Sequence, residues 1–223
     1  SLAGEMSGET DFLRQADYIA QKMRLPVAKP YKPTPFVEEP TFENVKASRL
    51  TSPALLKYLA DRGISRDIAQ RYCVQVDYEL HGKQYYAIGF ENNANGYELR
   101  NPFFKGSYPP KHITHIVNGN ARCNVFEGFI DFLSAERLGF NDGMDSVVLN
   151  SVSNVAKAII PLADYTVIQC YLDNDAAGRA ALARLRREFD DRVMDKSALY
   201  PDNKDLNDYL MSLYPKKSSK LKL

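Results

Sequence analysis

The sequence has little of what usually assigns a protein at once. Only three of its 223 residues are cysteine. Cys73, Cys123 and Cys170 lie far apart and never in a C-x-x-C pair, which excludes a disulfide framework and a zinc ribbon and leaves three buried thiols. No segment approaches the ~20 consecutive apolar residues of a membrane span, and no basic leader with an apolar core opens the chain. A cytoplasmic protein with no membrane partner is expected. There is no Gly-x-x-x-x-Gly-Lys-Ser/Thr loop, no internal repeat and no low-complexity segment beyond one proline-rich stretch. A net charge of +1 selects no partner by itself. His112 and His115 have no third ligand nearby, so a zinc site there is not expected, and His81 reads as a turn residue.

What is present is ordinary for a globular chain: 44% apolar and 26% charged residues. Helical spacing of Phe12, Ala16, Ile19 and Met23 predicts a helix over 11–24, followed by Pro26, Pro30, Pro33, Pro35 and Pro40, an extended linker. Residues 1–44 are thus read as a helix and linker. A small α+β unit is expected over 45–118. In it "TSPALLKYLADRGIS" supplies Ser52 as N-cap, Pro53 at the first helical position and Gly63 as the stop, and a second helix should run from Ser65 to about Tyr72. "VQVDYELHGKQYYAIGFENNANGYELRNPFF" then alternates apolar and polar residues, with turns at His81-Gly82 and Asn93 to Gly96, which predicts an antiparallel meander. Over 119–214 short apolar runs alternate with helical patterns ("CNVFEG", "FIDFLSAERLG", "SVVLNS", "SNVAKAIIPL", "TVIQCYLD", "DAAGRAALARLRREF", "RVMDKSALYP"). Such alternation calls for a mainly parallel, Rossmann-like sheet covered on both faces. Residues 215–223 form a basic tail.

Ligands of parallel sheets bind beyond the carboxyl ends of the strands, and the acidic residues fall there. Glu127 leaves the first strand, with Asp131 one helical turn on. Asp173 and Asp175 leave the third, and Asp202 and Asp205 follow the fourth. Asp175 before Ala-Ala-Gly-Arg is also a sound helix N-cap, stabilising by about 0.3–1 kcal/mol. Two carboxylates ~4 Å apart repel by roughly 4 kcal/mol at an effective dielectric of 20. Repulsion outweighs capping, and a hard divalent cation among oxygen ligands accounts for the cluster. Asp131 and Asp202 have competing explanations as a helix-surface acid and a turn starter, while Asp208 reads as a solvated or capping residue. Arg100, Lys105 and Lys111 face only Glu98 as an opposing charge nearby.

"VFEGFIDFLSAERLG" and "CYLDNDAAGRAALARL" together resemble the glutamate and Asp-x-Asp motifs of Toprim domains. "LLKYLADRGISRDIAQRYCV" and "YAIGFENNANGYELRNPFFKGSYPPKHIT" are similar to the segments that precede the Toprim domain in bacterial-type DNA primases, especially those of mobile elements. The resemblance runs from about residue 45 to 214. It implies a four-stranded, mainly parallel Toprim sheet preceded by the smaller unit, in the catalytic core of a longer protein. The implied activity is primer synthesis on a single-stranded DNA template from nucleoside triphosphates. Implied ligands for Mg2+ (or Mn2+) are Glu127, Asp173 and Asp175 first, then Asp131, Asp205 and Asp202, with Glu127 alternatively a general base. Arg100 and Lys111, with Lys105 and Arg179, are the implied phosphate contacts. Tyr97, Phe103, Phe104 and Tyr108 are read as packing, and "NSVSN" as a capped polar loop after the second strand. No zinc is expected in this stretch, and any replicative helicase partner would be engaged through other regions. A Toprim nuclease and a non-catalytic nucleic-acid-binding module are the alternatives, whereas a topoisomerase would need a tyrosine nucleophile on a further domain.

Overall fold

The structure, a computed structural model, describes residues 41–214. The helix expected over 11–24, most of the proline-rich linker and the basic tail lie outside the described residues.

The first half builds one antiparallel sheet with two helices. Its elements are β1 (Glu43–Arg49), α1 (Pro53–Ala60), α2 (Arg66–Tyr72), β2 (Val74–Leu80), β3 (Lys83–Glu91), β4 (Tyr97–Arg100) and β5 (Lys105–Tyr108), with the strands in sequence order across the sheet. Ser52 caps α1 by accepting the Leu55 N–H, and Pro53 occupies the first turn, where its missing donor costs nothing. His81 and Gly82 both adopt left-handed backbone, at φ 50° and 72°, the geometry a two-residue hairpin between twisted strands requires. At Gly96 a Cβ would collide with the Pro110 carbonyl, so only glycine lets that turn close.

The second half holds β6 (Thr114–Ile116), β7 (Arg122–Phe126), α3 (Phe129–Leu138), β8 (Asp145–Val148), α4 (Val155–Leu162), β9 (Val167–Tyr171), α5 (Ala176–Phe189), β10 (Val193–Asp195) and α6 (Leu206–Leu213). The strand order is β10-β9-β7-β8-β6. The first four strands run parallel, as the alternation of runs and helices predicts. A fifth was not foreseen: β6, from upstream of residue 119, joins antiparallel to β8. At three residues, it is too short to show a period.

Successive side chains of β7 go to opposite faces and both faces are buried. Val125 packs with Val147, Ile168, Leu162 and Leu185 on one side. On the other, Phe126 joins Phe132, Leu133 and Tyr171 in a core that also contains Leu55, Leu59, Ile88 and Phe90 of the first half. The two sheets therefore share a core across 41–214. Each large apolar side chain fully buried there contributes about 1.5–3 kcal/mol. All three cysteines are free and buried.

Candidate functional site

Neighbouring central strands set the site. Phe126 of β7 lies opposite Tyr171 of β9, so Glu127 leaves the sheet beside the chain that leads through Leu172 to Asp173. Gly128 is the N-cap of α3 and puts Asp131 in the first turn of that helix. Asp205 caps α6 by accepting the Asp208 N–H at 2.7 Å. These four carboxylates line one cavity of about 500 Å3, together with Arg62, Arg100, Lys105 and Lys204. Arg100 and Lys105 come from the other sheet, paired across the end of β4 and β5.

Two side-chain atoms of the cavity stand out. Among the described residues, Glu127 Oε2 and Asn150 Oδ1 are the buried side-chain polar atoms without a hydrogen-bond partner, and both residues line this cavity. Asn150 is held there in left-handed backbone, φ 62°, with its Nδ2 donating to the His112 carbonyl and to Thr114 Oγ1, both at 3.0 Å. An unpaired buried acceptor costs about 1–3 kcal/mol. Two in one acidic cavity leave it short of a cation or donor.

Residues 124–210 match the family model described as Toprim-like. They form a Toprim-like domain. Residues 44–109 match a domain of unknown function, DUF8464. Among solved structures, the primase fragment of the bacteriophage T7 primase-helicase protein superposes with a TM-score of 0.57 at 19% identity, over 91% of this chain and 82% of that chain. The Aquifex aeolicus primase, in its zinc-binding and RNA polymerase domains, gives 0.52 at 13% identity over 75% of this chain and 54% of that chain. At these identities the likeness is one of fold: a Toprim domain preceded by a smaller α+β unit, as in primases. No curated protein sequence matches the chain.

In the Toprim domain the acids are charged unequally. Burial, then the charges of Asp173 and Asp175, push Glu127 up to about 7. Asp131, 8% exposed, is raised well above the usual range by burial and by Asp205 and Asp173, although it accepts the Asn207 N–H at 3.2 Å. Asp173 is raised by burial, an effect opposed by Lys204, whose Nζ lies 3.3 Å from its Oδ2. The crowding of acids foreseen from sequence thus raises Glu127, Asp131 and Asp173, with Lys204 opposing it at Asp173. Among the described residues no three His, Cys, Asp or Glu side chains are gathered closely enough to form a finished metal centre.

The remaining candidates sit elsewhere. Asp175 caps α5 through Oδ1, which accepts the Ala177 and Gly178 N–H groups at 2.9 and 3.0 Å. These bonds hold its carboxyl below the usual range. Its charge still reaches Glu127. Gly178 is required because a Cβ there would strike the Asp173 carbonyl. Asp202 is exposed in a turn outside the cavity lining. Lys111 is exposed outside that lining as well, close enough to Glu98 to act on it together with Lys105. Arg179 donates to the Asn174 carbonyl at 3.1 Å, on the outer side of α5. Ser151 accepts the Ser153 N–H, the cap expected of that loop. His115 bonds Tyr165 at 2.8 Å. Lys204, Arg62 and Asn207 line the cavity without having been singled out, and Asp208 joins them although read as solvated.

Proposed function

We propose that this chain is the catalytic core of a DNA primase, joining nucleoside triphosphates into short primers on a single-stranded DNA template. The observation that carries this reading is the pair of unsatisfied buried oxygens, Glu127 Oε2 and Asn150 Oδ1, in a cavity lined by carboxylates together with arginine and lysine. All-oxygen donors suit magnesium or manganese rather than zinc. Glu127, Asp131, Asp173 and Asp205 would hold the ion, with Asp175 at the rim spending one oxygen on its helix cap. A divalent cation bound there supplies activation of the attacking 3′-hydroxyl and neutralisation of the triphosphate. In the alternative role, Glu127 would leave the ion to the aspartates and accept the proton of that hydroxyl at Oε2, its unpaired oxygen. Arg100 and Lys105 line the same cavity as the carboxylates, and template or nucleotide phosphates would lie on them. Lys111 and Arg179 would add charge outside it. Association with a replicative helicase, through regions outside this sequence, fits the primase-helicase identity of the T7 relative in fold.

The engagement of Asp175 in its cap and of Asp173 with Lys204 favours a second reading, a nucleic-acid-binding module without catalysis. Incubation with single-stranded DNA, labelled ribonucleotides and Mg2+ or Mn2+ separates them. Short labelled products that vanish in Asp173→Asn are the expected result. Strand cleavage would replace primase with nuclease, and binding without incorporation would select the module.

A further inference from the structure

The turn between β4 and β5, Asn101 to Phe104, treats its two phenylalanines differently. Phe104 folds back over Gly106, which has no Cβ to obstruct the ring, and packs against Tyr78. Phe103, expected to pack as well, is 98% exposed. Adjacent positions in so short a turn cannot both face inward.

The exposure is built rather than loose. Asn101 Oδ1 accepts the Phe103 N–H at 2.9 Å, and Asn101 Nδ2 donates to the Tyr86 carbonyl at 3.0 Å. The Asn101 N–H closes the turn on the Phe104 carbonyl at 3.0 Å. Tyr85 and Tyr86, 42% and 45% exposed, share with Pro102 and Phe103 the lining of a shallow apolar groove. The turn also joins this groove to the cationic wall: Arg100 precedes it, Lys105 follows it, and both line the carboxylate cavity.

A single strand offers phosphates and aromatic faces in alternation, and proteins that hold it combine a basic track with exposed rings. We propose that Phe103, backed by Tyr86, is a stacking post for an unpaired base of single-stranded nucleic acid whose phosphates lie on Arg100 and Lys105 beside the cavity. This rests on the nucleic-acid reading of that cavity. Continuity with the two cations, and not the apolar groove alone, selects a nucleic acid over a peptide as the occupant. Phe103 carries no donor or acceptor, so the post discriminates little among bases.

The chain contains no tryptophan, so Phe103→Trp places its only indole at the post. A single-stranded oligonucleotide of mixed sequence should quench that emission, saturating where fluorescence anisotropy of the labelled oligonucleotide saturates. Phe103→Ala should bind the oligonucleotide about tenfold more weakly, with an unchanged salt slope because no phosphate contact is removed, whereas Arg100→Ala should make the slope shallower by about 0.7. Phe103→Ala, outside the cavity lining, should retain Mn2+ binding at the cavity. Wild-type affinity in Phe103→Ala, or an indole indifferent to saturating oligonucleotide, overturns the post and leaves the primase reading standing. Loss of affinity for a protein partner with unchanged oligonucleotide binding overturns it in favour of a peptide groove. Failure of the wild type to bind any oligonucleotide removes the primase reading first and the post with it.

Discussion

The two ends of the parallel sheet bury acids in opposite ways. At the amino end of β8, Asp145 is 2% exposed and fully engaged. Its Oδ1 accepts the Asn118 and Asn120 N–H groups at 2.8 and 2.9 Å, and Tyr165 donates to Oδ2 at 2.6 Å. Burial works to raise its pKa, but these bonds win and hold the carboxyl below the usual range. Nearby, Asn124, Asn141, Ser146 and Gln169 satisfy one another in a buried chain of hydrogen bonds. At the carboxyl end, Glu127 and Asn150 keep unpaired oxygens and Asp131 is driven toward its neutral form. Both ends remove acids from water, but the amino end returns to Asp145 the hydrogen bonds that water supplied, whereas the carboxyl end leaves Glu127 Oε2 and Asn150 Oδ1 without them. One end is finished as structure, whereas the other keeps acceptors unpaired, which is where the proposed ligand would bind.

The largest effect expected from this contrast is on activity. Asp173→Asn should lower primer synthesis by about a thousand-fold, a loss of several kcal/mol of charge stabilisation. The melting temperature of the metal-free protein should hold or rise, because a buried charge beside Glu127 is removed. A matching collapse in thermal stability would show that the carboxyl end is structural too. Asp145→Ala should do the reverse. Losing three hydrogen bonds to a buried charge is expected to cost about 3 kcal/mol of stability, with activity per folded molecule preserved. Equilibrium urea unfolding and active-site titration check both halves.

Gly178→Ala should act on both stability and activity, at a smaller scale. The added methyl meets the Asp173 carbonyl at the start of α5, and relieving the overlap moves Asp173 together with the cap made by Asp175. Overpacking of this kind costs about 1–3 kcal/mol, and activity should fall further than stability. Wild-type activity in a destabilised Gly178→Ala would mean that Asp173 need not be held in place.

How much of this could be read from sequence depended on the range of the interaction. Strand exits follow from local periodicity, so Glu127 and Asp173 were legible as neighbours on one rim. Ser52, Pro53 and the His81-Gly82 turn are equally local. Lys204 was missed because its meeting with Asp173 depends on how the chain from β10 to α6 folds back, which no spacing reveals. Asp175 has both properties ascribed to it, cap and nearby negative charge, but the expected balance is reversed: its cap bonds prevail and hold the carboxyl below the usual range. Phe103 and Phe104 are identical in type and adjacent, and only the bonds of Asn101 decide which one turns outward. The shared core of Leu55, Ile88, Phe90 and Phe126 is a matter of packing between sheets, which local periodicity does not report.

The smallest effect tests whether the cationic wall is tuned. Burial pushes Glu98 on β4 from the ordinary 4.5 up to about 7, against the pull of Lys111 and Lys105. Its folded pKa lies above the unfolded one, so the native state holds the extra proton between those values. Stability from this source is present in full below 4.5 and is lost as pH rises through about 7. Glu98→Gln should therefore gain stability relative to wild type as pH climbs, with the two closest at acid pH. The same ionisation should govern phosphate binding: below about 7 the two lysines act unopposed, and above it the Glu98 anion offsets part of their charge. The ratio of oligonucleotide affinities, Glu98→Gln over wild type, should be near one at about pH 6 and about two- to threefold at about pH 8, shrinking with added salt. Taking the ratio cancels contributions from Glu127, which both proteins share. A ratio that stays flat across this window would mean that Lys105 and Lys111 hold no phosphate, leaving Arg100 as the whole of the wall.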